Sequence, residues 1–280
     1  MPSNSIIKES ESPRLRKAPS YCSRLPDMDK IGEPTQTENL EGFNILFWTT
    51  EAVGGLLIIL VAIWTAHYRG GFSWTSNPGL EFNWHPLLMT IGLVFLYANG
   101  MLIYRSQRQI RKRRLKLIHS GIMIFAVLLT VVALVAVFDS HNLNKKDGVL
   151  SPIPNMYTLH SWVGLTSVIL FCCQWLAGFL SFLYPMAQPS LRGAYLPVHV
   201  YFGTAAFIGT IAACLMGLTE KAFFALQSSY AELPGEAVLV NIIGLVFVIF
   251  GGLTVYIVSQ ERYRRLPRPE DDILLTGRNE

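Results

Sequence analysis

Apolar residues are concentrated in six runs, each close to the ~20 residues that a helix needs to cross a ~30 Å hydrocarbon core. The runs lie at about 45–67, 84–104, 116–138, 157–183, 196–217 and 237–259, and the fourth is the longest. Only 15% of the residues are charged and 51% are hydrophobic, whereas about a quarter of a soluble domain is charged. The pattern predicts an all-α membrane protein with six transmembrane helices.

The polar ends of the chain predict two tails around this membrane domain. Residues 1–42 are rich in Ser, Pro, Glu and Lys/Arg, which is typical of a disordered tail. They contain no apolar stretch that could serve as a cleavable signal peptide. We therefore expect a tail at 1–42, a membrane domain at 43–260 and a C-terminal tail at 261–280. Glu51 is interpreted as a charge at the start of the first helix, near the membrane interface.

The distribution of basic residues predicts the orientation. If the N-terminus is cytosolic, 19 of the 23 Lys and Arg residues lie on the cytosolic side and four lie outside. Loops that remain in the cytosol carry an excess of Lys and Arg. Both termini are therefore predicted to be cytosolic.

Four of the apolar segments carry a histidine near their N-terminal ends: His85, His119, His160 and His199. An ionisable side chain inside a membrane segment is costly to bury and is a functional-site hypothesis by default. The predicted orientation puts His85 and His160 near the outer face and the other two near the inner face. The two pairs are then separated by roughly 20 Å along the membrane normal. This arrangement predicts a central four-helix bundle of helices 2–5.

Facing histidines in a helix bundle are suited to bind haem, because neutral imidazole is an axial haem ligand and bundle cores hold cofactors. Two b haems at two depths would form an electron path across the bilayer. Small residues beside the ligands would admit the macrocycle, and glycines of the four helices could supply such gaps: Gly92, Gly100, Gly121, Gly164, Gly178, Gly203 and Gly209. A zinc or proton transporter is an alternative, although a pair lacks the four ligands of a structural zinc site. His67 is interpreted as an interfacial side chain.

Several motifs, in this order, carry a resemblance to a known family: Phe82–Pro86, Tyr157–Trp162, Leu191–Arg192 before Pro197–His199, and Leu218–Lys221. Over roughly residues 50–260 the chain resembles the cytochrome b561 family of ascorbate-dependent transmembrane oxidoreductases. The resemblance implies six helices, two non-covalent bis-histidine b haems, a homodimer, and ascorbate as the cytosolic electron donor.

The resemblance also implies which histidines bind which haem. His85 and His160 would hold the outer haem iron, and His119 and His199 the inner haem iron. This assignment agrees with the pairing expected from topology.

The resemblance places the ascorbate site on three basic residues near the inner haem, Lys112, Lys116 and Arg192. Ascorbate is a monoanion at neutral pH, so a cluster of cations attracts it. Lys112 and Lys116 would also be expected for topological reasons alone, because they lie in a cytosolic loop with seven cations.

On the outer side, His141 corresponds to a histidine that the family places near the electron acceptor. Asn155 and Tyr157 precede the fourth helix, where their polar groups could meet the outer haem propionates. The chain differs from shorter relatives by extra loop residues at 145–154.

The predicted function is electron transfer from cytosolic ascorbate through two haems to ferric iron or monodehydroascorbate on the other side. A quinol-oxidising di-haem cytochrome b subunit is a second hypothesis. No nucleic acid is expected as a partner. Residues 270–275 resemble an acidic dileucine signal for endosomes and lysosomes; a secretory-vesicle or plasma membrane is also open.

Overall fold

The computed structural model describes residues 40–266, and within this range six helices are long and apolar enough to cross a membrane. The prediction of an all-α protein with six spans is confirmed. The disorder predicted for residues 1–42 and the sorting signal predicted at 270–275 fall, apart from residues 40–42, outside the described residues. The helices are α1, Phe43–Ile63 continued by a π-helical turn at Trp64–Tyr68; α2, Pro78–Ser106; α3, Lys112–Asn142; α4, Leu159–Phe182; α5, Pro189–Leu226 continued by a 3₁₀ turn at Gln227–Glu232; and α6, Gly235–Ser259, followed by a 3₁₀ turn at Glu261–Tyr263.

Two helices begin at side-chain caps. The Asn77 side chain accepts a hydrogen bond from the backbone N–H of Leu80 (3.3 Å), and Pro78 occupies the first turn of α2. The Thr158 hydroxyl accepts one from the backbone N–H of Ser161 (3.3 Å) at the start of α4. Such caps satisfy N–H groups that have no partner within the helix.

Helices α2–α5 form a closed ring, in which α2 packs against α3, α3 against α4, α4 against α5, and α5 against α2. Helices α2 and α4 are therefore diagonal to one another, as are α3 and α5. Helices α1 and α6 pack together and contact the ring through α2 and α5. This arrangement agrees with the predicted central bundle of helices 2–5.

The bundle has two ends, which we call the terminal face, where α1 begins and α6 ends, and the far face opposite to it. At the far face, the Glu236 carboxylate accepts hydrogen bonds from the Trp64 indole (2.9 Å) and the Arg69 guanidinium (3.1 Å), which ties α1 to α6. At the terminal face, the Tyr263 hydroxyl donates to the Glu41 carbonyl (3.1 Å).

The lengths of α4 and α5 correct one expectation. The fourth apolar run was expected to give the longest helix, but α4 has 24 residues and the α5 segment has 44. Helix α4 is short because Thr158 caps it inside the run. Helix α5 extends past its run at both ends, because Pro189 suits a first turn and no glycine or proline interrupts residues 218–226.

The structure also places Glu51 differently from the interpretation as a charge at the start of a helix. Glu51 lies eight residues after Phe43, the first residue of α1. At 1.5 Å per residue this is about 12 Å into the helix. Two turns of helix precede it, so Glu51 is a half-buried residue within α1 and not a residue of its first turn.

The extra loop at 145–154 contains a small hairpin. Strands β1 (Lys145–Lys146) and β2 (Val149–Leu150) pair antiparallel. Asp147 and Gly148 connect them with φ angles of 53° and 80°, as expected for a two-residue turn with both central residues left-handed. The hairpin lies at the far face, between α3 and α4.

Candidate functional site: two histidine pairs

His85 on α2 and His160 on α4 face each other across a diagonal of the ring and form the far-face pair. Their ring centroids are 6.2 Å apart and their planes are nearly perpendicular, at 86°. His85 Nδ1 lies 3.1 Å from the Ala133 carbonyl oxygen, and His160 Nδ1 lies 2.8 Å from that of Ala213. A carbonyl only accepts, so each Nδ1 carries the proton and each Nε2 keeps its lone pair for a metal.

His119 on α3 and His199 on α5 occupy the other diagonal and form the terminal-face pair. Their ring centroids are 6.3 Å apart and their planes meet at 75°. His119 Nδ1 donates to the Gly100 carbonyl on α2, at 2.7 Å. His199 Nδ1 is buried and has no hydrogen-bond partner within residues 40–266. The terminal-face pair thus has one oriented ring and one ring held by packing alone.

The two pairs lie at two levels of the bundle. The hydrogen-bond partners of the far-face pair show the separation. His85 bonds to the carbonyl of Ala133, which is fourteen residues after His119 on α3. His160 bonds to the carbonyl of Ala213, which is fourteen residues after His199 on α5. Each interval corresponds to about 21 Å of helix. The two helices therefore give the same separation between the pairs, close to the 20 Å expected from the sequence.

The spacing within each pair fits one metal atom between two imidazoles. A metal about 2.0 Å from each of two opposed ring nitrogens holds the ring centroids roughly 6 Å apart, and the observed values are 6.2 and 6.3 Å. Within the described range, no group of three or more His, Cys, Asp and Glu side chains could hold a metal. A two-nitrogen donor set fits an iron whose other positions are filled by a macrocycle.

Glycines make room for two of the rings. A Cβ on Gly217 would lie 2.5 Å from His160 Cε1, and a Cβ on Gly178 would lie 2.8 Å from His199 Cε1. A side chain at either position would therefore overlap the histidine ring, and only glycine leaves enough space for it. Gly178 was among the glycines predicted to provide gaps. Gly217, the last residue of the fifth apolar run, was not, because glycine is frequent in membrane helices and sequence position alone does not show which one meets a histidine.

The other predicted glycines have different surroundings. A Cβ on Gly92, Gly100 or Gly209 would meet a neighbouring helix within 3.2 Å, so these glycines allow close helix packing. A Cβ on Gly164 would make an ordinary contact, and one on Gly121 or Gly203 would meet nothing within 4 Å.

The far-face pair opens into a cavity of about 490 Å³ that also contains His141, Asn155 and Tyr157. This volume is within the range of small-molecule pockets. The Asn155 side chain lies 3.0 Å from His141 Nδ1 and donates to the Asn142 side chain (2.8 Å). The structure thus brings together the three residues predicted for the outer side. His67 does not line the cavity; its ring contacts the Tyr68 ring.

A lysine at the same cavity was not singled out from the sequence. The Lys221 ammonium lies 3.9 Å from the centroid of the Phe82 ring, an attractive cation–π geometry. The Phe82 ring in turn lies 6.1 Å from the His85 ring. A cation is therefore held one aromatic ring away from the far-face pair.

The predicted basic residues lie between the terminal-face pair and the terminal face. Lys112, Lys116 and His119 follow one another at helical spacings of four and three, which puts them on one side of α3. The Lys116 ammonium donates to the Phe182 carbonyl at the end of α4 (3.1 Å). Arg192 is buried on α5, two turns before His199.

Three aromatic rings surround the terminal-face pair. The Phe182 and Tyr195 rings stack on each other (5.7 Å), and both lie within 6 Å of the His199 ring, at 5.5 and 5.9 Å. The Tyr104 ring lies 5.6 Å from the His119 ring. Sequence reasoning missed these residues, because aromatic side chains are common in membrane helices and only the fold shows which ones meet the histidines.

An all-α bundle with six candidate membrane spans and facing histidine pairs at two depths has the arrangement expected of a transmembrane oxidoreductase. The family described as eukaryotic cytochrome b561 matches residues 84–225, which include all four histidines. The chain is 42% identical over 235 residues to the plasma membrane ascorbate-dependent reductase CYBRD1 of Mus musculus, covering 83% of this chain and 78% of that protein. It is 40% identical over 225 residues to the transmembrane ascorbate-dependent reductase CYB561 of Homo sapiens, covering 80% and 86%.

The chain therefore belongs to the eukaryotic cytochrome b561 family. It is a transmembrane oxidoreductase, and its family implies haem b as the cofactor.

Proposed function

We propose that this protein transfers electrons from cytosolic ascorbate, through one haem b at each histidine pair, to an acceptor on the opposite side of the membrane. The observation that carries the proposal is the geometry of the pairs, each spaced for one metal and placed about 21 Å apart on shared helices. Haem b, when bound, supplies an iron that accepts and gives up one electron at a time.

Backbone carbonyl groups orient three of the four proposed histidine ligands. The carbonyls of Ala133, Ala213 and Gly100 each accept a hydrogen bond from a histidine Nδ1. These bonds fix the tautomer and the rotation of the ring, and they raise the basicity of the ligating nitrogen. The glycines beside His160 and His199 let the rings approach the neighbouring helix.

The donor side is proposed to be the terminal face. Lys112, Lys116 and Arg192 supply positive charge there, which attracts an ascorbate monoanion and holds it next to the terminal-face pair. The positive-inside distribution of Lys and Arg supports placing this face in the cytosol. The stacked rings of Phe182 and Tyr195 limit the access of water to His199.

The acceptor side is proposed to be the cavity at the far face. Its polar groups include His141, Asn155 and Lys221, a set that suits a small anion or a ferric chelate. The acceptor is therefore proposed to be ferric iron or monodehydroascorbate. Tyr157 and Asn155 also line the cavity, where they would meet the propionates of the outer haem.

The family resemblance supports further proposals about assembly and location. We propose a homodimer in an endosomal, lysosomal or secretory-vesicle membrane, with the plasma membrane as the alternative. The compartment proposal depends on the sorting signal at 270–275, which lies outside the described residues.

Proteoliposomes test the direction of electron transfer. Ascorbate is enclosed in the liposomes, and a ferric chelate or a source of monodehydroascorbate is added outside, with the orientation determined by protease cleavage of the N-terminal tail. We expect reduction of the external acceptor only when the terminal face meets ascorbate. Equal rates from both orientations would contradict the assigned donor side.

A further inference from the structure

The membrane-embedded carboxyl group of Glu51 lies at the level of the terminal-face pair. Glu51 is eight residues after the start of α1 at Phe43, and Asn99 is seven residues before the end of α2 at Ser106. His119 is seven residues after the start of α3. All three residues are therefore about 10–12 Å from the terminal face along their helices.

One polar side chain contacts this carboxyl group. The Asn99 side-chain amide donates to Glu51 Oε2 (3.4 Å) and to the Phe95 carbonyl (3.2 Å). Oε1 is buried and has no hydrogen-bond partner within residues 40–266. One turn further along α1, Gly54 packs against the rings of Phe95 and Phe250. The buried oxygen Oε1 has thus lost water without gaining a cation, so a change of charge nearby shifts the balance between the carboxylate and the carboxylic acid.

The charged side chains near α1 contact groups other than the Glu51 carboxyl group. On α2, the Arg105 guanidinium donates to the carbonyls of Gln260 (2.6 Å) and Val258. In the loop after α2, the Arg108 guanidinium lies over the Phe43 ring, at the terminal face. The titratable residues of α6 are at its ends: Glu236 at the far face, bonded to Trp64 and Arg69, and Tyr256 near the terminal face, beside Arg262.

The same turn of α2 contacts both Glu51 and His119. The Asn99 side chain reaches Glu51 on α1, and the carbonyl of the next residue, Gly100, accepts the hydrogen bond from His119 Nδ1. Glu51 and His119 therefore lie on two sides of one helix, whose diameter is about 10 Å. In an apolar medium, a unit change of charge at that distance substantially changes the electrostatic energy of the ionised carboxyl group.

We propose that Glu51 is a redox-linked proton site, an inference that rests on the proposed binding of haem by His119 and His199. If a haem held by His119 and His199 is reduced, the Glu51 carboxylate would take one proton from the cytosolic side and become a carboxylic acid. When the electron leaves for the far-face pair, the O–H bond breaks and the proton returns. Ascorbate monoanion gives up one proton with the electron, so the donor can supply the proton as well.

The test is a spectroscopic redox titration of the haem-loaded protein at several pH values. The terminal-face haem is identified as the component that His119→Ala removes. In the unsubstituted protein, reduction favours protonation, so its midpoint potential falls as pH rises. In Glu51→Gln, which keeps the shape and the contact with Asn99, we expect a potential that does not change with pH and that equals the acid limit of the unsubstituted protein.

Glu81 provides a matched control. Its carboxyl group is also fully buried without a hydrogen-bond partner in the described range, but it lies at the far face. Glu81→Gln should leave the pH dependence of the terminal-face haem intact. A pH dependence that persists in Glu51→Gln, or that is absent from the unsubstituted protein, overturns the proposal. Failure of the protein to bind haem would instead contradict the proposed function.

Discussion

The two histidine pairs have the same internal geometry and opposite surroundings. The terminal-face pair lies behind Lys112, Lys116 and Arg192 and beside aromatic rings. The far-face pair opens into a cavity of about 490 Å³ lined by His141, by amide side chains and by the oppositely charged Glu220 and Lys221. The distance between the two imidazole centroids is nearly the same in both pairs, 6.2 Å at the far face and 6.3 Å at the terminal face.

This difference shows how one bundle can hold two equivalent centres and still give electron transfer a direction. The distance between the two histidines of a pair is set by the distance between diagonally opposite helices of the bundle, and it is the same at both levels. Under the proposed function, the substrates would be selected outside the ring of helices, by a cluster of cations at the terminal face and by a mixed polar cavity at the far face. Substitutions in the ligands should therefore affect cofactor binding, and substitutions in the surroundings should affect one substrate only.

The largest effect is expected from His119→Ala. The substitution removes a proposed ligand of the terminal-face haem, so the bound haem should fall from two per chain to one, with loss of ascorbate-dependent reduction. Haem extraction and absorbance measure both. His67→Ala, at a histidine outside the pairs, should retain two haems. Two haems with full activity in His119→Ala would show that the ligand assignment is wrong.

A smaller effect, confined to the far-face pair, is expected from Gly217→Ala. The added methyl group would stand 2.5 Å from His160 Cε1, and such overpacking costs about 1–3 kcal/mol. We expect severalfold lower occupancy of one haem and a lower melting temperature. Gly55→Ala is the control, since its Cβ meets nothing within 4 Å. Equal behaviour of the two variants would contradict the ring contact.

Lys116→Ala separates the donor side from the acceptor side. Loss of one cation beside the terminal-face pair should raise the KM for ascorbate roughly tenfold at low salt, a change of about 1.4 kcal/mol, and leave the KM for the acceptor unchanged. The effect should shrink as ionic strength rises. Lys145→Ala, at the far-face hairpin, should not alter the KM for ascorbate. An equal effect of both substitutions would point to general electrostatics rather than a site.

The smallest expected effect is that of Asn155→Ala. It removes the contact with His141, a net contribution of about 0.5–1 kcal/mol, so the KM for the acceptor should change about threefold while haem content and the KM for ascorbate stay the same. Steady-state rates with varied acceptor measure this. Asn241→Ala removes a hydrogen bond with Tyr230 outside the cavity and serves as the control. A change in the KM for ascorbate would contradict the separation of the two sides.

The sequence was sufficient for the features that depend on local pattern. Six apolar runs predicted six spans, and the position of each histidine within its run predicted two levels. The family resemblance placed His141 on the outer side, ahead of Asn155 and Tyr157, and in the structure all three residues line one cavity.

Features that depend on the register between helices could not be predicted. The role of Gly217 depends on which turn of α5 meets His160, and the contact between Glu51 and Asn99 depends on how α1 lies against α2. The expectation that Glu51 stands at the start of the first helix was wrong, because α1 already begins at Phe43. The full length of α5 was also missed, because a helix can continue beyond the membrane without an apolar signal.

The most direct test of the central claim is the number of haems per chain together with their reduction by ascorbate. Purified protein is assayed for haem by extraction, and its spectrum is recorded oxidised and after addition of ascorbate. We predict two b-type haems per chain, both low-spin and both reduced by ascorbate. A single haem would contradict the assignment of one pair, and protein that folds with no haem when haem is supplied would contradict the electron-transfer function itself.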